Sequence, residues 1–201
     1  MELKENCVWK ISKDDLSLQR ILESAEEIAE KTKLNSKQSM HLRLLAEELV
    51  EMLPSLLAFS SGEFWIEQNG KSFELHTVLT PNEAITTEQR DELLSVSSSG
   101  KNAAASGIMS KIRLAATFMI IDYERNSADF PLINDFYLDG MGTNPNFMVP
   151  AWSLENYRIK AKSEKNEKWD ELEKSIIANI ADDVVVGVEG RKVEIIVKKS
   201  F

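Results

Sequence analysis

A single cysteine, Cys7, in a chain of 201 residues leaves no partner for an internal disulfide. That points to a reducing compartment and to a core held by packing alone. Cys7 sits beside Val8 and Trp9, which favours a buried packing role over a reactive thiol. Histidine is almost as scarce. His41 and His76 are the only two, and neither has a second histidine at metal-ligand spacing, so both read as structural. No positive stripe exists for nucleic acid: the net charge is −9, and Lys198-Lys199 and Lys160–Lys168 are interrupted by other residues or acids. No apolar run reaches transmembrane length, and the start Met1–Asn6 is too charged for a signal peptide. The expectation is a cytoplasmic protein binding neither membrane nor nucleic acid.

What remains is ordinary for a globular chain: 43% hydrophobic and 28% charged residues, enough for one large domain with a real core. Cys7–Ile11 reads as a first strand. Asp14 or Asp15 caps a helix running to about Lys33, with Leu18, Ile21, Leu22, Ala25, Ile28 and Ala29 at helical spacing. Asn35 and Gln38 have capping-box spacing for a second helix. Leu42, Leu45, Leu49, Met52, Leu53 and Leu56 line one face of it, and Pro54 interrupts it.

Asn69-Gly70 is a strong hairpin signal between Gly62–Gln68 and Lys71–Thr80. Placing the turn there sets Ile66 opposite Phe73 and Phe64 opposite Leu75. Thr86 and Gln89 can box a short helix ending near Val96, and Ser97–Gly100 is a break. Asn102–Tyr123 reads as a helix. Ser127–Tyr157 reads as a long, aromatic-rich loop. Glu164–Ala181 reads as a helix burying Trp169, Leu172, Ile176, Ile177 and Ile180. Asp183–Val188 and Arg191–Lys199 form a closing hairpin about Glu189-Gly190, with Val186 opposite Val193 and Val184 opposite Ile195. Hairpins of this kind with amphipathic helices imply an α+β, two-layer sandwich. Its sheet is expected to be mixed but mostly antiparallel, with helices on one face.

This order resembles the GHKL (histidine-kinase-like) ATPases, and within them the anti-sigma-factor serine kinases, small single-domain bacterial regulators. Residues 8–80 are similar to the family's first strand, two helices and hairpin. Residues 170–198 are similar to its last helix and closing hairpin, with Asp182-Asp183-Val184 at an acidic turn. The chain is then one GHKL-like domain over 1–201, with an atypical insert at about 97–163.

The resemblance also assigns pocket positions. Glu48 falls where the family's glutamate orients water near the terminal phosphate. Met52 falls where an asparagine holds the metal, and a thioether is a poor ligand for Mg²⁺. Leu79 falls where an aspartate reads the adenine amino group. Asp170-Glu171-Leu172-Glu173 replaces the glycine-rich phosphate turn with carboxylates. The implied function is a regulatory protein-binding module with nucleotide binding lost and no cofactor. The partner would be a sigma factor or another regulator, with Phe130–Tyr157 as docking surface and homodimer contact. The alternative is an active ATP-dependent serine kinase or ATPase using ATP and Mg²⁺, with Glu48 catalytic. A third reading is a small-ligand binder in an emptied pocket.

Other patterns carry less. Ser99-Gly100-Lys101-Asn102 lacks the glycine at 95 and the hydroxyl at 102 that a P-loop needs. Lys101 or Asn102 nonetheless lies where the family's lid reaches a phosphate. Glu47, Glu48 and Glu51 are either a solvated helix face or, for Glu48, a pocket residue with a raised pKa. Gly140-Met141-Gly142 is a turn. Ser97–Ser99 has no histidine nearby in sequence to activate a nucleophile.

Overall fold

The computed structural model describes residues 8–12, 18–53, 59–81, 108–125, 141–142, 151–164, 172–173 and 175–201. Strand β1 is Trp9–Ile11, and helix α1 is Leu18–Lys31. Lys33 takes φ 52°, and the amides of Lys33 and Leu34 return to the carbonyls of Glu30 and Ala29 at 3.0 Å each. This is a Schellman cap, which satisfies the orphan carbonyls and turns the chain directly into the next helix. Helix α2, Ser36–Met52, starts with the expected capping box: Asn35 Oδ1 accepts from Gln38 N, and Gln38 Oε1 accepts from Asn35 N, both at 3.0 Å.

Strands β2 (Phe59–Asn69) and β3 (Ser72–Pro81) form the first hairpin. Helix α3 (Ile108–Arg125), strands β4 (Met141–Gly142) and β5 (Ala151–Ser153), and helix α4 (Leu154–Glu164) follow. Helix α5 (Ile176–Ile180) and the hairpin β6 (Asp183–Glu189) and β7 (Lys192–Ser200) complete the order. The sheet runs β1-β2-β3-β7-β6-β5-β4. Every pairing among the described residues is antiparallel, and none of the parallel pairing of a mixed sheet occurs among them. The α+β class holds.

Both hairpins depart from the predicted register by two residues, for one reason. Gly70 and Gly190 carry φ 62° and 61°, while Lys71 and Arg191 stay at negative φ. Glycine therefore occupies the first central turn position, as in a type II′ turn, rather than the second. The closing pairs are Asn69 with Ser72 and Glu189 with Lys192. Ile66 consequently faces Leu75, Gln68 faces Phe73, Phe64 faces Thr77, Val186 faces Ile195 and Val184 faces Val197. A shift of two keeps each side chain on its face, so the predicted apolar set is still the buried one.

One apolar cluster joins Phe64, Leu75, Leu79, Val184, Val186 and Ile195 of the sheet to Ile21, Leu45, Leu49, Ile112 and Tyr157 of the helices. The opposite sheet face carries a smaller cluster of Ala151, Val185 and Ile196.

Three other expectations change. Met141-Gly142, expected within a turn, pairs with Trp152 and Ala151 as strand β4. The predicted loop Ser127–Tyr157 ends in β5 and α4, where Ser153 caps α4 by accepting from Asn156 N at 3.1 Å. The predicted helix Glu164–Ala181 is interrupted at Ser175. Its backbone is extended (φ −94°, ψ 124°), and its hydroxyl accepts from Ala178 N. That local bond competes with helix continuation and starts α5 afresh. Leu172 and Ile177 are buried as expected, but Ile176 is 45% exposed. Residues 1–7, 13–17, 54–58, 82–107, 126–140, 143–150, 165–171 and 174 lie outside the described set, and with them Cys7, the Asp14 or Asp15 cap, Pro54, Leu56, the Thr86 helix, Lys101, Asn102, Ser97–Ser99 and Trp169.

Candidate functional site

Helix α2 places the predicted site. Its capped start fixes the register, and Leu42, Leu45, Ala46, Leu49 and Val50 anchor its inner face at 0% exposure. Met52 continues that inner face and is 4% exposed. Glu47 and Glu48 flank the face half-buried, and Glu51 is exposed. Burial pushes the Glu48 carboxyl above its ordinary value, and repulsion from Glu51 and then Glu47 pushes it the same way. No basic residue occupies the last turn of α2. Glu51 there meets the negative end of the helix dipole, so the acidic group sits where the helix itself disfavours it.

Leu79 lies on β3, paired with Gly62 on one side and Val193 on the other, and is 1% exposed. A Cβ on Gly62 would come within 2.8 Å of both Leu79 Cδ2 and Ile11 Cγ1. The space beside Leu79 over Gly62 is thus closed by Ile11 of β1. Met52 and Leu79 belong to the same buried apolar cluster, whereas Glu48 stays outside it. Of the three predicted positions, two are core and one is a perturbed surface acid.

The remaining candidates scatter. Asp170 and Glu171 lie outside the described residues, Leu172 is buried and Glu173 is exposed. His41 lies on α2 with its ring 6.4 Å from that of Phe201. Of the aromatic insert, Trp152 and Tyr157 are fully buried with centroids 6.1 Å apart, so these two fill the core. Phe130, Phe136, Tyr137 and Phe147 lie outside the described residues.

An open groove of about 820 Å³ runs between α4 and the ends of β3, β6 and β7. Its central cation, Arg158, is committed to structure. Nη1 donates to the Asp182 carbonyl at 2.6 Å, and Nη2 donates to the Ala178 and Ala181 carbonyls at 2.5 and 3.0 Å. These are the carbonyls that the C-terminus of α5 leaves unpaired. Burial lowers the Arg158 pKa, and Asp183, Asp182 and Glu155 oppose that shift.

Asp183 Oδ1 in turn accepts from the amides of Glu155 (2.9 Å) and Val184 (2.8 Å). Its burial raises its pKa against those bonds. Asp182 accepts from Lys199 Nζ at 2.8 Å and Ser200 N at 2.6 Å. Sequence reasoning did not find this clamp. The Ser153–Asn156 capping spacing was the available signal for the start of α4.

Comparisons of the chain with protein-family models, with curated proteins and with solved structures give no match in any of the three. Among the described residues no helix is long and apolar enough to cross a membrane.

Proposed function

We propose that this chain is a regulatory protein-binding module, built on a scaffold resembling the GHKL ATPases and nearest the anti-sigma-factor serine kinases, that does not use ATP. One observation carries the reading. Met52 and Leu79, the positions that would hold the metal and read the base, are packed into the apolar core at 4% and 1% exposure. Neither offers the oxygen donor that Mg²⁺ or an adenine amino group requires.

The docking face is the acidic end of α2, formed by Glu47, Glu48 and Glu51. Its carboxylates repel one another and oppose the helix dipole, a local cost that interaction sites characteristically retain. A basic segment of a partner protein, such as a sigma factor or comparable regulator, relieves both terms. The chain's net charge of −9 favours such an encounter at long range.

Calorimetry with Mg-ATP tests the first half: no binding is expected. Micromolar affinity that Glu48→Ala abolishes overturns the proposal and establishes the ATP-dependent kinase or ATPase instead. For the second half, partner capture by the wild-type chain is compared with the triple Glu47→Gln, Glu48→Gln, Glu51→Gln variant. Loss of a salt-sensitive partner is expected, and an unchanged set of partners refutes the α2 face.

A further inference from the structure

The sheet face opposite the helical layer carries a cluster that neither proposed role uses. Alternation along β2 and β3 puts Trp65, Glu67, Glu74 and His76 on that face, away from Phe64, Ile66, Phe73 and Leu75 of the core. The register then sets Glu67 directly opposite Glu74 and Trp65 directly opposite His76. Like charges directly opposite one another in a sheet are destabilising. Here one ligand atom each from Glu67, Glu74 and His76 falls within 4.8 Å of the others.

His76 is 7% exposed, and its Nε2 is buried with no hydrogen-bond partner. That nitrogen lies 3.4 Å from Glu74 Oε2 without hydrogen-bond geometry, while Glu74 Oε1 is 3.4 Å from Lys198 Nζ. The other ring nitrogen, Nδ1, lies 3.0 Å from Glu194 Oε1 on β7. The imidazole is further fixed by stacking on Trp65, with centroids 4.7 Å apart and planes within 7°. Glu67 accepts from Trp65 Nε1 at 3.3 Å.

We propose that Glu67, Glu74 and His76 form a binding site for a divalent cation of the zinc class. Imidazole and carboxylate together suit a borderline metal rather than Mg²⁺ or Ca²⁺, which take oxygen alone. A tetrahedral ion with arms of about 2.1 Å spans edges of about 3.4 Å, the separation already present between Nε2 and Glu74 Oε2. Glu194 supplies the carboxylate that metal-bound histidines hold on their second nitrogen, fixing Nε2 as the ligand. Neutralising the Glu67–Glu74 pair removes the cross-strand repulsion. Three protein ligands leave a fourth position for water, the pattern of an open site rather than a closed structural one.

The test is titration of the full-length chain with zinc sulfate by isothermal calorimetry. Cobalt(II) absorption and quenching of tryptophan emission report the ligand set and the proximity of Trp65. One zinc per chain is expected. His76→Gln and Glu74→Gln each weaken binding by roughly tenfold or more. Glu194→Gln, which keeps all three ligands, weakens it by about 10- to 100-fold. His41→Gln leaves it unchanged. Far-UV circular dichroism establishes that each variant is folded, and Glu67→Gln, at a more exposed position, serves where His76→Gln is not. No zinc binding, or binding that survives both Glu67→Gln and Glu194→Gln, overturns the site and leaves an ion-pair network only. Neither outcome bears on the Mg-ATP result.

Discussion

Replacing Met52 with asparagine separates a core position from a pocket position. At 4% exposure in the main apolar cluster, Met52 contributes the transfer energy of a buried side chain, about 1.5–3 kcal/mol. An asparagine forfeits most of that and brings an amide whose burial costs about 1–3 kcal/mol more. Helix propensity adds only a few tenths. The sum is about 3–5 kcal/mol, a large part of the roughly 5–15 kcal/mol that holds a domain together. With a urea dependence of about 2 kcal/mol per molar, the midpoint falls by about 2 M. Equilibrium urea unfolding, followed by tryptophan emission and circular dichroism together, measures it. If Met52 instead borders a solvent-filled nucleotide cleft, asparagine costs little and supplies a metal ligand. A change below about 1 kcal/mol, or newly acquired Mg-ATP binding, would refute the core assignment on which the proposed function rests.

Two further outcomes follow from the same packing. Gly62→Ala places a Cβ 2.8 Å from both Ile11 Cγ1 and Leu79 Cδ2, which must move aside, and is expected to destabilise by about 1–3 kcal/mol; a neutral thermal melt would show slack around Leu79. Glu48→Gln is expected to stabilise the chain at pH 7. The folded Glu48 holds its proton more tightly than the unfolded one, so its ionisation costs stability as pH rises through the folded pKa, and the cost is absent below the ordinary value of 4.5. The gain therefore shrinks as melts are repeated at decreasing pH, and a gain constant with pH would exclude Glu48 as its source.

Local chemistry made much of this fold readable. The Asn35–Gln38 box, the apolar spacing of α1 and α2 and the two glycine turns each rest on a few adjacent residues, and the sheet was built accordingly. Where one glycine sits within its turn was not readable, because both placements preserve the buried face. The consequence is specific. In the predicted register Glu67 opposes Ser72 and Trp65 opposes Glu74. The type II′ turn instead brings Glu67 onto Glu74 and Trp65 onto His76. His76, read as structural for want of a second histidine at ligand spacing, acquires carboxylate neighbours from β2 and β7 that lie up to 118 positions from it in the chain.

Helix α4 and the break at Ser175 were missed for a related reason. Both depend on hydroxyl caps, and on partners such as Asp183, that propensity along a window does not weigh.

The sequence alone determined the class of element at each well-patterned stretch and which side chains turn inward, since periodicity and capping act over one or two turns of chain. It also determined that Met52 and Leu79 lack oxygen donors. Only the tertiary structure decided that these two are closed into the core, that Arg158 is bound to α5 and the β6 turn, and that Glu67, Glu74 and His76 converge. Each of those depends on strand register and layer packing, which join residues through space and leave no periodic trace along the chain.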